Sequence, residues 1–165
     1  MNGSIFGIGR LVATTAVFAL LIGGNATAQN LREGDIDTGY FGNVALEGYD
    51  TVAYFTVGQA MVGDPDITAE WLGAEWHFAS AENRDLFVAN PIGYAPQYGG
   101  HCADGLAYDG KAVATNIDPT AWRVIKGKLY ISYDHVSAAE FDTIPDLIER
   151  ADANWAVYQA SMKAK

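Results

Sequence analysis

The chain has 165 residues, half of them apolar and 12% aromatic, with 20 acidic residues against 10 basic ones and a net charge of −10. That length allows one domain and not comfortably two. The acidic balance disfavours nucleic acid and anionic lipid as partners, and a single cysteine, Cys102, excludes an internal disulfide.

At the start of the chain, Arg10 closes a short basic region, Leu11 to Ile22 form an apolar run broken only by Thr14 and Thr15, and Ala26-Thr27-Ala28 offers a small-x-small cleavage site. The pattern predicts a signal peptide over residues 1–28, cleaved before Gln29, and a periplasmic or secreted protein with no stable membrane association afterwards. Cleavage removes Arg10 and leaves a net charge of −11. A retained anchor is the alternative, but the run is shorter than the ~20 residues a spanning helix needs. Residues 29–43, polar and rich in Gly and Asp, are expected as a linker to a domain over 44–165.

Within that domain, Gly48-Tyr49-Asp50 is turn-like and Thr51 to Phe55 is β-prone. Gly63-Asp64-Pro65-Asp66 predicts a turn, then a strand over Ile67 to Leu72. Leu72-Gly73-Ala74-Glu75 joins it tightly to a second strand, Glu75 to Phe78, making a hairpin with Trp76 and Phe78 on one face and His77 on the other. Ser80 is placed to cap a helix running to about Ala89, with Glu82 in its first turn and Leu86, Phe87 and Ala89 turned towards the strand. Asn90-Pro91 stops it. Tyr94 to Cys102 is too rich in Gly and Pro for a regular element and reads as an ordered loop pinned by two tyrosines, in which Gly99-Gly100 permits a close backbone approach or a sharp turn.

Asp109-Gly110-Lys111 is another turn. Trp122 to Ile125 and Leu129 to Tyr133, separated by Lys126-Gly127-Lys128, form a second hairpin. Val136 to Phe141 is a short amphipathic helix. Pro145 suits the first position of a last helix, on which Leu147, Ile148, Ala151, Trp155 and Tyr158 make a stripe that docks on the sheet. The fold class is therefore α+β: a single small domain of two β-hairpins, a short central helix and a C-terminal helix packed on the sheet.

Several of these segments, in order, resemble the YHS domain in its longer exported bacterial form. They are Gly48-Tyr49-Asp50-Thr51-Val52-Ala53-Tyr54-Phe55, the run from Trp76 to Phe87, Asn90-Pro91-Ile92-Gly93-Tyr94 through Gly99-Gly100-His101-Cys102-Ala103, Gly127-Lys128-Leu129-Tyr130, and Ala151-Asp152-Ala153-Asn154-Trp155. The resemblance covers nearly the whole chain after residue 43 and implies a binding module associated with soft transition metals. Thiolates favour such ions. Where the short form of the family carries cysteines, this chain has Ala53, Ala79 and Asn83.

The remaining metal candidates for copper, zinc or nickel are Cys102, His101 and His77, with Asp104 as an oxygen donor. His101 and Cys102 are adjacent, so one ion reaches both only if the loop bends. The alternative for Cys102 is a buried, inert thiol or a link to a second copy as a homodimer. His135 reads as a solvated turn residue. Tyr49, Asp50, Tyr54, Tyr94 and Tyr98 are candidates for a small-molecule pocket, against the plainer reading of core aromatics whose hydroxyls reach the rim. Catalysis has little support: no Ser-His-acid spacing, phosphate loop or paired carboxylates stand out, which leaves thiol chemistry at Cys102. The expected function is non-catalytic binding of a transition-metal ion, or else of a small organic molecule or protein partner with Cys102 structural.

Overall fold

The computed structural model describes residues 30–39, 42–109 and 116–162. The expected signal peptide and the turn at Gly110-Lys111 lie outside them. Four strands pair as two antiparallel hairpins, β1 (Asp64–Trp71) with β2 (Ala74–Phe78) and β3 (Asp118–Ile125) with β4 (Lys128–Ser132). Around them the described residues form six α-helices: α1 (Ala53–Thr56) before the first hairpin, α2 (Ala81–Ala89), α3 (Pro91–Tyr94) and α4 (Ala103–Asp109) between the hairpins, and α5 (His135–Glu140) and α6 (Leu147–Met162) after them. This is the expected α+β domain. Among the described residues no helix is long and apolar enough to cross a membrane.

Both hairpins turn on two left-handed residues, Leu72-Gly73 and Lys126-Gly127, the geometry that matches the twist of paired strands. In β2, Ala74, Trp76 and Phe78 are buried while Glu75 and His77 are half-buried, as alternation requires. Phe87 of α2 covers this face, its ring 4.9 Å from Trp76 and 5.2 Å from Phe78. Ser80 caps the helix by accepting the Asn83 amide at 3.2 Å. Leu86 and Ala89, expected to share the packing, are exposed instead, because the inward face of the helix carries Asn83 and, one turn on, Phe87.

Strand β4 is buried on both faces and divides the core. Leu129 and Ile131 pack with Leu46 and Tyr54, whereas Tyr130 belongs to the larger cluster with Trp76, Phe87, Tyr98, Leu106 and Trp155. Helix α6 lies along α4 and joins that cluster through Leu147, Ala151 and Trp155. Pro145 falls two residues before α6 rather than at its first position. Asp146 intervenes at φ 61, and its carbonyl accepts the Arg150 amide at 3.0 Å.

Two further expectations are corrected. Thr51 to Phe55 is not a strand: its second half forms α1, because the Asp50 carboxylate accepts the amides of Val52 and Ala53 and starts a helical turn against β-propensity. Residues 30–39 are not a linker. Leu31 and Ile36 enter the core, Asp35 accepts from the Gln159 side chain at 2.6 Å, and the Asp37 amide donates to the Gly99 carbonyl at 2.9 Å. Gly99 is what admits this strap, since a Cβ there would sit 2.0 Å from the Asp35 carbonyl oxygen.

The contrast along α2 is testable. Phe87→Ala is expected to cost about 3–5 kcal/mol, as large aromatic truncations in a core do, and Leu86→Ala about 0.5 kcal/mol or less. Equal losses for the two variants in chemical denaturation would refute the orientation of α2.

Candidate functional site

Asp50 is fully buried, and all of its acceptor capacity is engaged. Its Oδ1 accepts the amides of Val52 at 2.8 Å and Ala53 at 3.3 Å, and its Oδ2 accepts the Ala79 amide at 2.8 Å and the Asn83 side-chain amide at 2.6 Å. Four donors satisfy a buried carboxylate, which makes Asp50 a structural tie rather than a ligand contact.

The tyrosines expected around it do not form a common pocket. Tyr54 is in the smaller cluster, edge-on to Trp122 at 5.2 Å, and its hydroxyl donates to the Pro119 carbonyl at 2.8 Å. Tyr98 is in the larger one, donating to Asp152 at 2.8 Å. Burial pushes both hydroxyls well above the usual tyrosine pKa, with the carboxylate of Asp152 adding to the effect at Tyr98. Tyr49 packs on the smaller cluster and Tyr94 on the larger, edge-on to Phe55 at 5.6 Å. They separate because β4 stands between the clusters.

The candidate metal ligands also have separate partners. Cys102 is 2% exposed, and its thiol donates to Asp104 Oδ1 at 3.1 Å. A disulfide to a second copy would require the start of α4 to open. His101 has other neighbours, its ring 5.2 Å from Tyr158 and 5.9 Å from Trp155, with Nδ1 3.6 Å from Asp37. His77 lies on the outward face of β2, its Nε2 2.8 Å from Glu75 Oε1. Among the described residues no three His, Cys, Asp or Glu side chains converge on one point. His135 is exposed at the start of α5, as expected.

What the sequence did not point to is a cleft of about 350 Å³ beside His77, lined by Val44, Glu47, Gly48, Val62, Gly63 and Pro65. Three segments build it. Residues 44–48 run past β2 through a parallel bridge between Val44 and Glu75, and Leu46 and Glu47 take left-handed conformations at φ 51 and φ 52. The segment before β1 closes in through Gly63, whose amide donates to the Gly48 carbonyl at 2.8 Å. A Cβ on Gly63 would lie 2.5 Å from the His77 backbone, so glycine is required there. Glu47 carries a carboxyl raised above the usual range, first by burial and then by Asp118 and Asp37.

No family model, no curated protein and no solved structure matches the chain. One signal for the cleft was present in the sequence: Gly48 and Gly63 bracket a segment whose two ends must both meet His77.

The surroundings of His101 set a pH dependence. Burial lowers its pKa below the ordinary 6.5, against the opposing pull of Asp37 and Asp35. The unfolded chain therefore takes up a proton that the folded imidazole refuses, so stability is full above about pH 6.5 and falls as pH drops from there through the lowered folded pKa. Denaturation midpoints between about pH 7 and pH 5 should fall for the wild type and fall less for His101→Gln. Parallel curves for the two proteins would remove His101 as the cause.

Proposed function

We propose that the protein is an exported, non-catalytic binding module of the YHS type, whose ligand is a small organic molecule held in the cleft beside His77. The observation that carries this reading is the composition of that cleft: aliphatic walls from Val44, Val62 and Pro65, with Glu47 and His77 as the polar groups. Apolar walls with a few convergent polar groups are what small-molecule sites share. Export rests on the pattern of residues 1–28.

The YHS resemblance gains support from one coincidence of position. Ala53, Ala79 and Asn83, which stand where the short form has cysteines, all donate hydrogen bonds to Asp50. Two separate segments thus meet at one buried carboxylate, through two backbone amides and the Asn83 side chain. The same arrangement weakens the metal reading, because a carboxylate with four amide donors holds together what thiolates and a soft ion would otherwise join. Cys102, His101 and His77, each with a partner of its own, offer no replacement set. A thiol-based enzyme is also poorly supported, since Cys102 is paired with an acid rather than a base and an acid disfavours the thiolate.

Two measurements test this reading. A nuclear magnetic resonance screen of small neutral, cationic and anionic molecules should move the amide signals of residues 44–48, 62–64 and 77 together; a screen that leaves them all in place overturns it. Calorimetry with copper, zinc and nickel should show no binding tighter than high-micromolar and no effect of Cys102→Ala. Tight binding that Cys102→Ala abolishes would return the metal ion to first place.

A further inference from the structure

Two side chains in the cleft have hydrogen-bonding capacity to spare, and in both it is capacity to accept. Glu47 is half-buried and makes no hydrogen bond or ion pair among the described residues. Its conformation is strained, because Leu46 and Glu47 are consecutive left-handed residues without being glycine, a backbone state that persists only where the surroundings enforce it. Here the enforcing contact is Leu46, 2% exposed in the smaller core cluster. With Leu46 fixed inward, the next side chain is left on the cleft.

His77 supplies the second acceptor. Its Nε2 lies 2.8 Å from Glu75 Oε1, and a carboxylate only accepts, so Nε2 is the donor there and Nδ1 is the acceptor of the neutral ring. Nδ1 is the ring atom that faces Gly48 on the cleft wall, where a Cβ would stand 3.2 Å away. Among the described residues no lysine or arginine lines the space. Asp37 and Asp118 are near enough to act on Glu47, and the whole chain carries a net charge of −10.

We infer that the cleft receives the protonated amino group of a small organic amine, which donates to the Glu47 carboxylate and to His77 Nδ1 while its hydrocarbon part lies on Val44, Val62 and Pro65. The inference rests on the cleft being the ligand site and adds the class of ligand. An ammonium group matches both acceptors and neutralises the carboxylate. A carboxylate ligand meets like charge, and an alcohol satisfies one acceptor and leaves the charge uncompensated. A divalent metal ion finds only two ligands where a structural site takes four and a catalytic one three.

The test titrates hexylamine, hexanol and hexanoate, equal in chain length and different in charge, into the wild type and Glu47→Gln, following the amide signals of residues 44–48, 62–64 and 77. Hexylamine should bind the wild type most tightly and hexanoate least. Glu47→Gln should weaken hexylamine by about tenfold, the scale of one charge-assisted hydrogen bond, and should not weaken hexanol, which leaves the Glu47 charge uncompensated. Hexanol or hexanoate binding as well as hexylamine overturns the ammonium assignment but keeps the cleft as the ligand site; no response to any molecule overturns both. If Glu47→Gln does not fold, the wild type still decides: hexylamine affinity must fall with added salt, and affinity indifferent to salt refutes the inference.

Discussion

The buried carboxylate of Asp50 ties residues 50–53 to the end of β2 and the start of α2. Taking an ionised carboxylate out of water costs several kcal/mol even after relaxation, and this cost is offset only because Val52, Ala53, Ala79 and Asn83 all donate to it. The consequences run outward from there. Two of those bonds start α1, and the other two anchor the end of β2 and the first turn of α2. Together with the Val44–Glu75 bridge and the Gly63–Gly48 hydrogen bond, Asp50 thus holds the first hairpin against residues 44–56, and with it the cleft between them.

A second constraint repeats the same logic in the backbone. The fold contains two runs of three left-handed residues, Leu46-Glu47-Gly48 and Tyr98-Gly99-Gly100. Each holds one large side chain at 2% exposure, Leu46 in the smaller cluster and Tyr98 in the larger. A left-handed conformation costs a non-glycine residue roughly 1–2 kcal/mol, comparable to the roughly 1.5–3 kcal/mol gained by fully burying a large side chain. The turns are therefore tolerated where the chain must reverse and still fill the core. The first run delivers Glu47 to the cleft; the second brings Gly99 against the Asp35 strap.

How much of this the sequence disclosed follows from the range of the interactions. The alternation of β2, the Ser80 cap and both hairpins are readable because their determinants lie within a few residues of one another. Thr51 to Phe55 misleads because its conformation is set by an acid whose other partners are 29 and 33 residues away. Residues 30–39 mislead for the same reason, since the polar composition of a linker says nothing of Gln159 or Gly99. The aromatic residues were legible as a group but not as two groups, because the strand that parts them is itself buried on both faces. Glu47 carried no signal at all: its importance depends on a left-handed turn that neither Leu nor Glu advertises.

The distinction between structural and functional polar groups then becomes one of saturation. Asp50, Tyr54 and Tyr98 drew attention as chemistry-bearing residues, yet each is engaged inside the protein, and Cys102 donates to Asp104. A group in that condition has little left to offer a ligand, since any new contact must first break an old one. Unused capacity is not sufficient alone. Ser132 Oγ and Trp155 Nε1 are also buried without a hydrogen-bond partner among the described residues, but neither residue borders the cleft. Glu47 and His77 Nδ1 combine unused capacity with room for an occupant and an aliphatic wall beside them. A ligand that binds there gives up water and gains partners without asking the fold to surrender any of its own.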